Sequence, residues 1–191
     1  LLRKVLTSMT NAPHHYNPAI VNSPIPSWTS FALLETIAAK FKLRPRERSF
    51  GAFMEALHTY LVQERNRTTT LIIDDAQNLN KRGQLELLRL AQNLETAQHK
   101  LLNLVFFAQL EWIPVLRAAP NFLQRVSMTY TLGPVAEEEV YNFITFRLRQ
   151  AGAGDRAPRF DDGAVRAIYA VSKGSPRVIV TICRNALLLA S

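Results

Sequence analysis

The chain has 191 residues, of which 48% are hydrophobic and 9% aromatic, enough for an ordinary globular core and too apolar for a disordered segment. No apolar run approaches the roughly 20 residues that span a bilayer, and the N-terminus lacks the layout of a signal peptide, so a soluble chain is expected. The 23 Lys and Arg against 15 Asp and Glu give a net charge of +8, and the single cysteine, Cys183, excludes an internal disulfide, in keeping with a reducing compartment.

In chain order, residues 1–9 read as the remainder of a helix, 19–21 as a short strand, and 31–41 as an amphipathic helix entered through Pro26, Ser27 and Ser30. A connector follows that crowds Lys40, Lys42, Arg44, Arg46 and Arg48 together, a patch able to meet nucleic acid, anionic lipid or an acidic partner. A solvated loop is the competing explanation. Residues 51–63 form another expected helix.

Thr68-Thr69-Thr70-Leu71-Ile72-Ile73-Asp74-Asp75 is an unalternating apolar run that ends in two carboxylates. It reads as a parallel strand covered by helices on both faces, and the carboxyl end of such a strand is where open α/β sheets place their ligands. A carboxylate there can hold a Mg2+ that bridges nucleotide phosphates. A helix over 81–94, a second buried strand over 101–108, a helix over 113–123 and an alternating, half-covered strand over 126–132 complete the first part. Strands and helices alternate, so the sheet is expected to be parallel.

After Gly133-Pro134 the pattern is helical throughout. A helix over 137–150 has glutamates at its start and Arg147 and Arg149 near its end, complementing the helix dipole. Asp161 is an expected N-cap for 162–172, Gly174 closes that helix, and Ser175 with Pro176 opens a last one carrying Arg177 in its first turn. Other chemistries are poorly supported. His14-His15 has no further ligand at metal spacing, Cys183 sits among apolar helical neighbours, and Trp28 and Trp112 read as packing residues.

Four segments in order carry a resemblance: Asp74-Asp75-Ala76-Gln77-Asn78-Leu79 after a strand, Phe106-Phe107-Ala108-Gln109-Leu110-Glu111 after the next, Leu123-Gln124-Arg125, and Gly174-Ser175-Pro176-Arg177. Together they resemble AAA+ ATPases over about residues 1–190, nearest to those of the general secretion pathway, with transposition ATPases beside them. The resemblance implies an α/β fold with a P-loop NTPase-type parallel sheet core over 1–134, followed by a small α-helical lid over 135–191. It implies ATP and Mg2+ as cofactors, with Asp74 orienting the metal. Asp75 stands where the family usually has a glutamate that polarises the attacking water; Asp is one methylene shorter, so slow hydrolysis or a water-bridged base is expected. Gln109 takes the place of the sensor 1 residue. Arg125 resembles the arginine finger that acts across a subunit interface, with Arg117 a weaker alternative, and Arg177 resembles the sensor 2 arginine that reaches from the lid to the γ-phosphate. A cation in the first turn of a helix faces the positive end of its dipole, which gives Arg177 a physical reason to seek an anion.

No G-x-x-x-x-G-K-[ST] occurs in the sequence, so the phosphate-cradling loop is not in this chain. Residues 1–4 resemble the helix that follows that loop, and the expectation is a piece of a longer protein, cut just after the P-loop and its first strand, that binds ATP poorly alone. The implied function is that of an ATP hydrolase in the parent protein, self-associating into a homo-oligomer with a secretion or membrane-assembly protein as partner, in the cytoplasm at the inner face of the bacterial inner membrane. A DNA-associated transposition or target-selection ATPase, and a degenerate domain that keeps the fold without hydrolysis, are the alternatives.

Overall fold

The computed structural model describes residues 2–154 and 159–190, and Leu1, the expected start of the first helix, lies outside them. Three parallel strands, β1 (Tyr16–Val21), β2 (Thr68–Ile73) and β3 (Asn103–Phe106), lie side by side in that order. β2 is central. Leu71, Ile72 and Ile73 have no exposure, and Thr69 and Thr70 are buried as well. Successive strand residues point to opposite faces, so a run of buried neighbours requires cover on both sides.

That cover is helical. Beside the strand residues, Leu33 and Ile37 of α2 (Ser30–Lys40), Leu57 and Leu61 of α3 (Phe50–Gln63) and Leu88 of α4 (Arg82–Gln92) belong to one core. Each helix has a local start signal. Thr29 Oγ1 accepts from Ala32 N–H at 3.0 Å before α2, and Ser49 Oγ from Ala52 N–H at 3.2 Å before α3. At α4 the Lys81 N–H donates to Gln84 Oε1 at 3.0 Å, and the fully buried Gln84 amide also donates to the Trp28 carbonyl at 3.0 Å. The opening helix, α1 (Leu2–Thr10), precedes β1.

Four expectations from the sequence are corrected. β1 begins three residues before the expected 19–21, because Pro18, which cannot donate to a ladder, is tolerated on an edge strand. β3 is shorter than 101–108 and only half-buried: it too is an edge, and it is Leu101 and Leu102, ahead of it, that are buried. The helix expected over 113–123 is two short helices, α5 (Trp112–Arg117) and α6 (Pro120–Leu123), since Pro120 disfavours helical geometry in the residue before it and Ala119 adopts φ −123°, ψ 67°. The alternating segment 126–132 is not a strand. An extended segment joins a sheet only where a neighbour takes its backbone groups, and among the described residues none does. Met128, Tyr130 and Leu132 are left 86%, 81% and 66% exposed.

The chain divides into two compact units between Met128 and Thr129, earlier than the Gly133-Pro134 step at which the sequence turns helical. The second unit holds α7 (Val140–Gln150), preceded by a 3-10 turn at Glu137–Glu139, α8 (Asp162–Ser172) and α9 (Pro176–Ala190). Val140, Ile144, Val165, Ile168, Ile179 and Cys183 form its core. Asp161 caps α8, accepting from Ala164 N–H at 2.7 Å. Between α8 and α9 the backbone turns through two left-handed residues, Lys173 (φ 48°) and Gly174 (φ 76°).

Gly174 answers two demands at once. Its carbonyl accepts the Val135 N–H at 2.8 Å, and a β-carbon on it would lie 2.1 Å from the Val135 carbonyl oxygen. Both atoms in that clash are held by short-range geometry, so neither can yield cheaply. Gly174→Ala is expected to destabilise the second unit by more than about 1 kcal/mol in denaturant melts, whereas Gly51→Ala, in a helix with open space around it, should leave the protein no less stable.

Candidate functional site at the carboxyl end of the central strand

The end of β2 is fixed from both sides. The Asp74 N–H donates to the Val21 carbonyl at 3.0 Å, extending the β1 ladder by one bond, and the Phe107 N–H donates to the Ile73 carbonyl at 2.9 Å, extending the β3 ladder. The chain then turns sharply. Asp75 is left-handed (φ 53°, ψ 40°), a conformation that Asp tolerates better than most side chains, and residues 76–78 form a 3-10 turn whose Ala76 N–H returns to the Phe107 carbonyl at 2.9 Å.

This turn places the two carboxylates differently. Asp74 Oδ1 accepts the Asp75 N–H at 3.1 Å. Asp75 projects across the sheet end: its Oδ2 accepts from Ser23 Oγ at 2.6 Å, and its Oδ1 from Gln77 Nε2 at 3.2 Å. The other end of the Gln77 amide accepts the Gln109 N–H at 3.2 Å. One network thus joins the ends of all three strands. Trp112, whose Nε1 donates to the Leu79 carbonyl at 2.9 Å and whose ring packs with Phe106 and Phe122, holds the turn from beneath.

Of the residues expected to form a site, Asp74, Asp75 and Gln109 are brought together, the last through its backbone. Gln109 does not end the strand as expected; it lies three residues beyond β3, in the loop, with its side chain exposed. Arg125 is exposed just after α6 and takes no part in the network; its charge is felt at Glu86, whose carboxyl is lowered first by its bond to Arg89. Arg117 is in the last turn of α5. Arg177 belongs to the second unit, exposed in the first turn of α9.

Ser23 and Gln77 are the residues that sequence reasoning missed. Gln77 was in plain view within the Asp-Asp-Ala-Gln run. Ser23 carries a signal only once pairing is known, because the register Val21↔Ile73 puts position 23 level with position 75. Ser23 is itself left-handed (φ 45°), which is how an exposed loop residue turns its hydroxyl back to the carboxylate.

The chemistry available is that of an ionised, oriented acid pair. The Ser23 hydroxyl, and after it the Gln77 amide, hold the Asp75 carboxyl below its ordinary range, outweighing the opposite effect of desolvation. Among the described residues no group of three or more His, Cys, Asp or Glu is placed to enclose a metal. Two adjacent carboxylates at a sheet end do fit Mg2+, which takes one or two protein carboxylates and completes its octahedron with water and phosphate oxygens. The basic connector is a separate feature. Arg48 there is drawn off by a two-pronged pair with Glu35, at 2.6 and 3.0 Å, and lies over the Phe31 ring, leaving Lys40, Lys42, Arg44 and Arg46 exposed.

Ser23→Ala is expected to raise the Asp75 carboxyl toward the usual aspartate value, read by NMR titration of the side-chain carboxyl carbon. A depressed folded value stabilises the fold above the unfolded value and loses that contribution as pH falls through the folded one. The variant should therefore lose stability at neutral pH and match the parent in acid.

Comparison with known proteins identifies the family and the fold. Residues 1–116 match the family described as AAA domain. The chain is 33% identical over 171 residues to general secretion pathway protein A of Aeromonas hydrophila, a match covering 86% of this chain and 30% of that protein, so it spans less than a third of this relative. Among solved structures, the ORC2 protein of Aeropyrum pernix in its ADPNP-ADP complexes superposes with a TM-score of 0.63 at 16% identity, covering 98% of this chain and 52% of that one. A Walker-type ATPase of Pyrococcus abyssi does so with a TM-score of 0.50 at 14% identity, covering 93% of this chain and 64% of its own. At such identities the structures speak for the fold alone, an α/β core of the P-loop NTPase type. On the match of more than half its length to the family, this chain belongs to the AAA+ ATPases.

Proposed function

We propose that the chain is part of an AAA+ ATPase that binds and hydrolyses ATP with Mg2+ to drive a secretion or envelope-assembly machine at the inner face of the bacterial inner membrane. The observation that carries the chemistry is the hydrogen-bonded placement of Asp75 at the carboxyl end of the central strand, between Ser23 and Gln77. In this reading the first unit is the nucleotide-binding core and the helical second unit is its lid. Asp74 holds Mg2+, directly or through water, and the ion when bound neutralises charge on the phosphate oxygens.

The remaining roles are those of this chain's own side chains. Asp75 accepts a proton from water and orients it. For as long as Ser23 and Gln77 occupy its two oxygens, each has one lone pair fewer to offer, so the network sets how readily Asp75 takes up that task. Gln109, its backbone fixed by Gln77 and its side chain exposed, offers a neutral amide to water or to a terminal phosphate. Arg125, exposed on the first unit, serves as a finger toward a neighbouring subunit, which makes a homo-oligomer the working form. Arg177 faces the positive end of the α9 dipole, an arrangement that costs roughly a few tenths of a kcal/mol and is offset by a nearby anion, such as a terminal phosphate. That contact couples the position of the lid to the state of the nucleotide.

A DNA-associated role, in target selection for transposition, is favoured by one specific observation: Lys40, Lys42, Arg44 and Arg46 stand exposed on a single connector of a chain with net charge +8. A degenerate interaction domain rests on Asp75 standing in place of a glutamate.

Turnover in the native protein that carries this chain separates these readings. Asp74→Ala should abolish Mg-dependent ATP hydrolysis, Asp75→Glu should preserve or raise it, and Arg125→Ala should lose turnover while keeping nucleotide affinity. Equal activity of the Asp74 and Asp75 variants would sink the assignment. The DNA reading predicts duplex binding that weakens steeply, by about tenfold or more, between low and physiological salt, and that fades with Lys40, Lys42, Arg44 and Arg46 changed to Gln.

A further inference from the structure

The second unit carries a feature for which the nucleotide chemistry has no use. Between α7 and α9 lies an open groove of about 370 Å³, floored by Ile144, Ile179 and Cys183 and walled by Phe143, Leu148 and Leu187. Arg147 on one helix and Arg184 on the other also line it, and both are exposed. Among the described residues the ion pairs are Glu35–Arg48, Glu64–Arg67 and Glu86–Arg89, all in the first unit, so neither groove arginine has a carboxylate partner there.

The lining residues have a regular spacing. On α7 they fall at 143, 144, 147 and 148, with Ala151 just past its end, and on α9 at 179, 180, 183, 184, 187 and 188, which is the i, i+4 ridge pattern on both walls. Two helices presenting such ridges across an open apolar trough leave a seat for the ridge of a third. From Phe143 to Ala151 the trough runs about 12 Å, or two helical turns. An acyl chain would fill the apolar floor but would leave one of the two cations without an anion, since it brings a single carboxylate at one end.

We propose that this groove docks an amphipathic helix of a partner protein, with large aliphatic side chains at i, i+3 and i+7 seated on Ile144, Ile179 and Leu187, and acidic side chains on its flanks paired with Arg147 and Arg184. Apolar anchors supply the affinity, and the two guanidiniums select for acidic flanks, since arginine binds carboxylates in two-pronged geometry. The groove is formed by the second unit alone, and the proposal stands whether or not the carboxylate network of the first hydrolyses ATP.

The test uses the 191-residue chain and two fluorescein-labelled synthetic helical peptides, one with Leu at i, i+3 and i+7 and Glu on both flanks, the other with Lys in place of Glu. The Glu peptide is expected to bind and to shift amide resonances of α7 and α9 selectively, with the Lys peptide at least about tenfold weaker. R147E/R184E, at two exposed positions and checked for unchanged circular dichroism, should reverse that preference. Equal binding of both peptides to both proteins would overturn the proposal, as would resonance shifts in α7 and α9 with sodium palmitate but not with the Glu peptide.

Discussion

The complete burial of β2 is the constraint on which the rest depends. A strand with Leu71, Ile72 and Ile73 wholly out of water must have a neighbour on each edge and cover on each face, which fixes its place at the centre of the sheet. Buried backbone also has to pair, and the ladder to β1 and β3 does so up to Asp74. The first residues free of that demand are the two aspartates. Their charge cannot follow the strand into the core, so the chain turns into the left-handed region at Asp75 and leaves both carboxylates at the sheet end.

What distinguishes the two acids is what lies beside them. Asp74 is engaged mainly by its own turn, accepting the next N–H, and stays available to a cation. Asp75 reaches a hydroxyl from the loop after β1 and an amide from the turn after β2, and through that amide it is tied to the loop after β3. Its ionised state, its direction and its competition with water are therefore properties of three strand ends acting together. A change at Ser23, an exposed residue in a loop, alters the chemistry of a residue 52 positions away.

The two units meet different physical demands. The first is organised around the central strand. The second has no strand among the described residues; it packs α7, α8 and α9 around a small aliphatic core and depends on one glycine, at 174, to let the backbone of residue 135 approach. On its surface Arg147, Arg177 and Arg184 lie outside the ion pairs found among the described residues. Arg177 suits a small anion at the start of a helix, and the other two suit an acidic helix lying along a trough.

Local chemistry made much of this legible in the sequence. An apolar run ending in Asp-Asp needs no partner to declare itself a buried strand, a helix with Asp161 before it and glycine after it announces its own ends, and the four spaced segments identified the family. Failures fell where a neighbour decides. Residues 126–132 alternate as a strand should, yet alternation states only that one face is apolar, and among the described residues no strand lies beside them to make a ladder. Residues 113–123 keep a helical period across Pro120, whose effect on Ala119 ends one helix and starts another. β3 reads as buried because its residues are apolar, but its place at the edge of the sheet leaves it half-covered. The Asp74-Asp75 turn and the loop that carries Gln109 were legible as places in the fold, and Ser23 was not, because a serine two residues past a short strand acquires meaning only from the parallel register that sets it against Asp75. Local pattern was enough for what a segment settles within itself: the charge of its residues, the burial of an unbroken apolar run such as 71–73, and the helix starts that a cap such as Asp161 marks. The tertiary structure alone decided which of them meet, since contact between positions far apart in the chain depends on strand order and register, and neither is written in any local pattern.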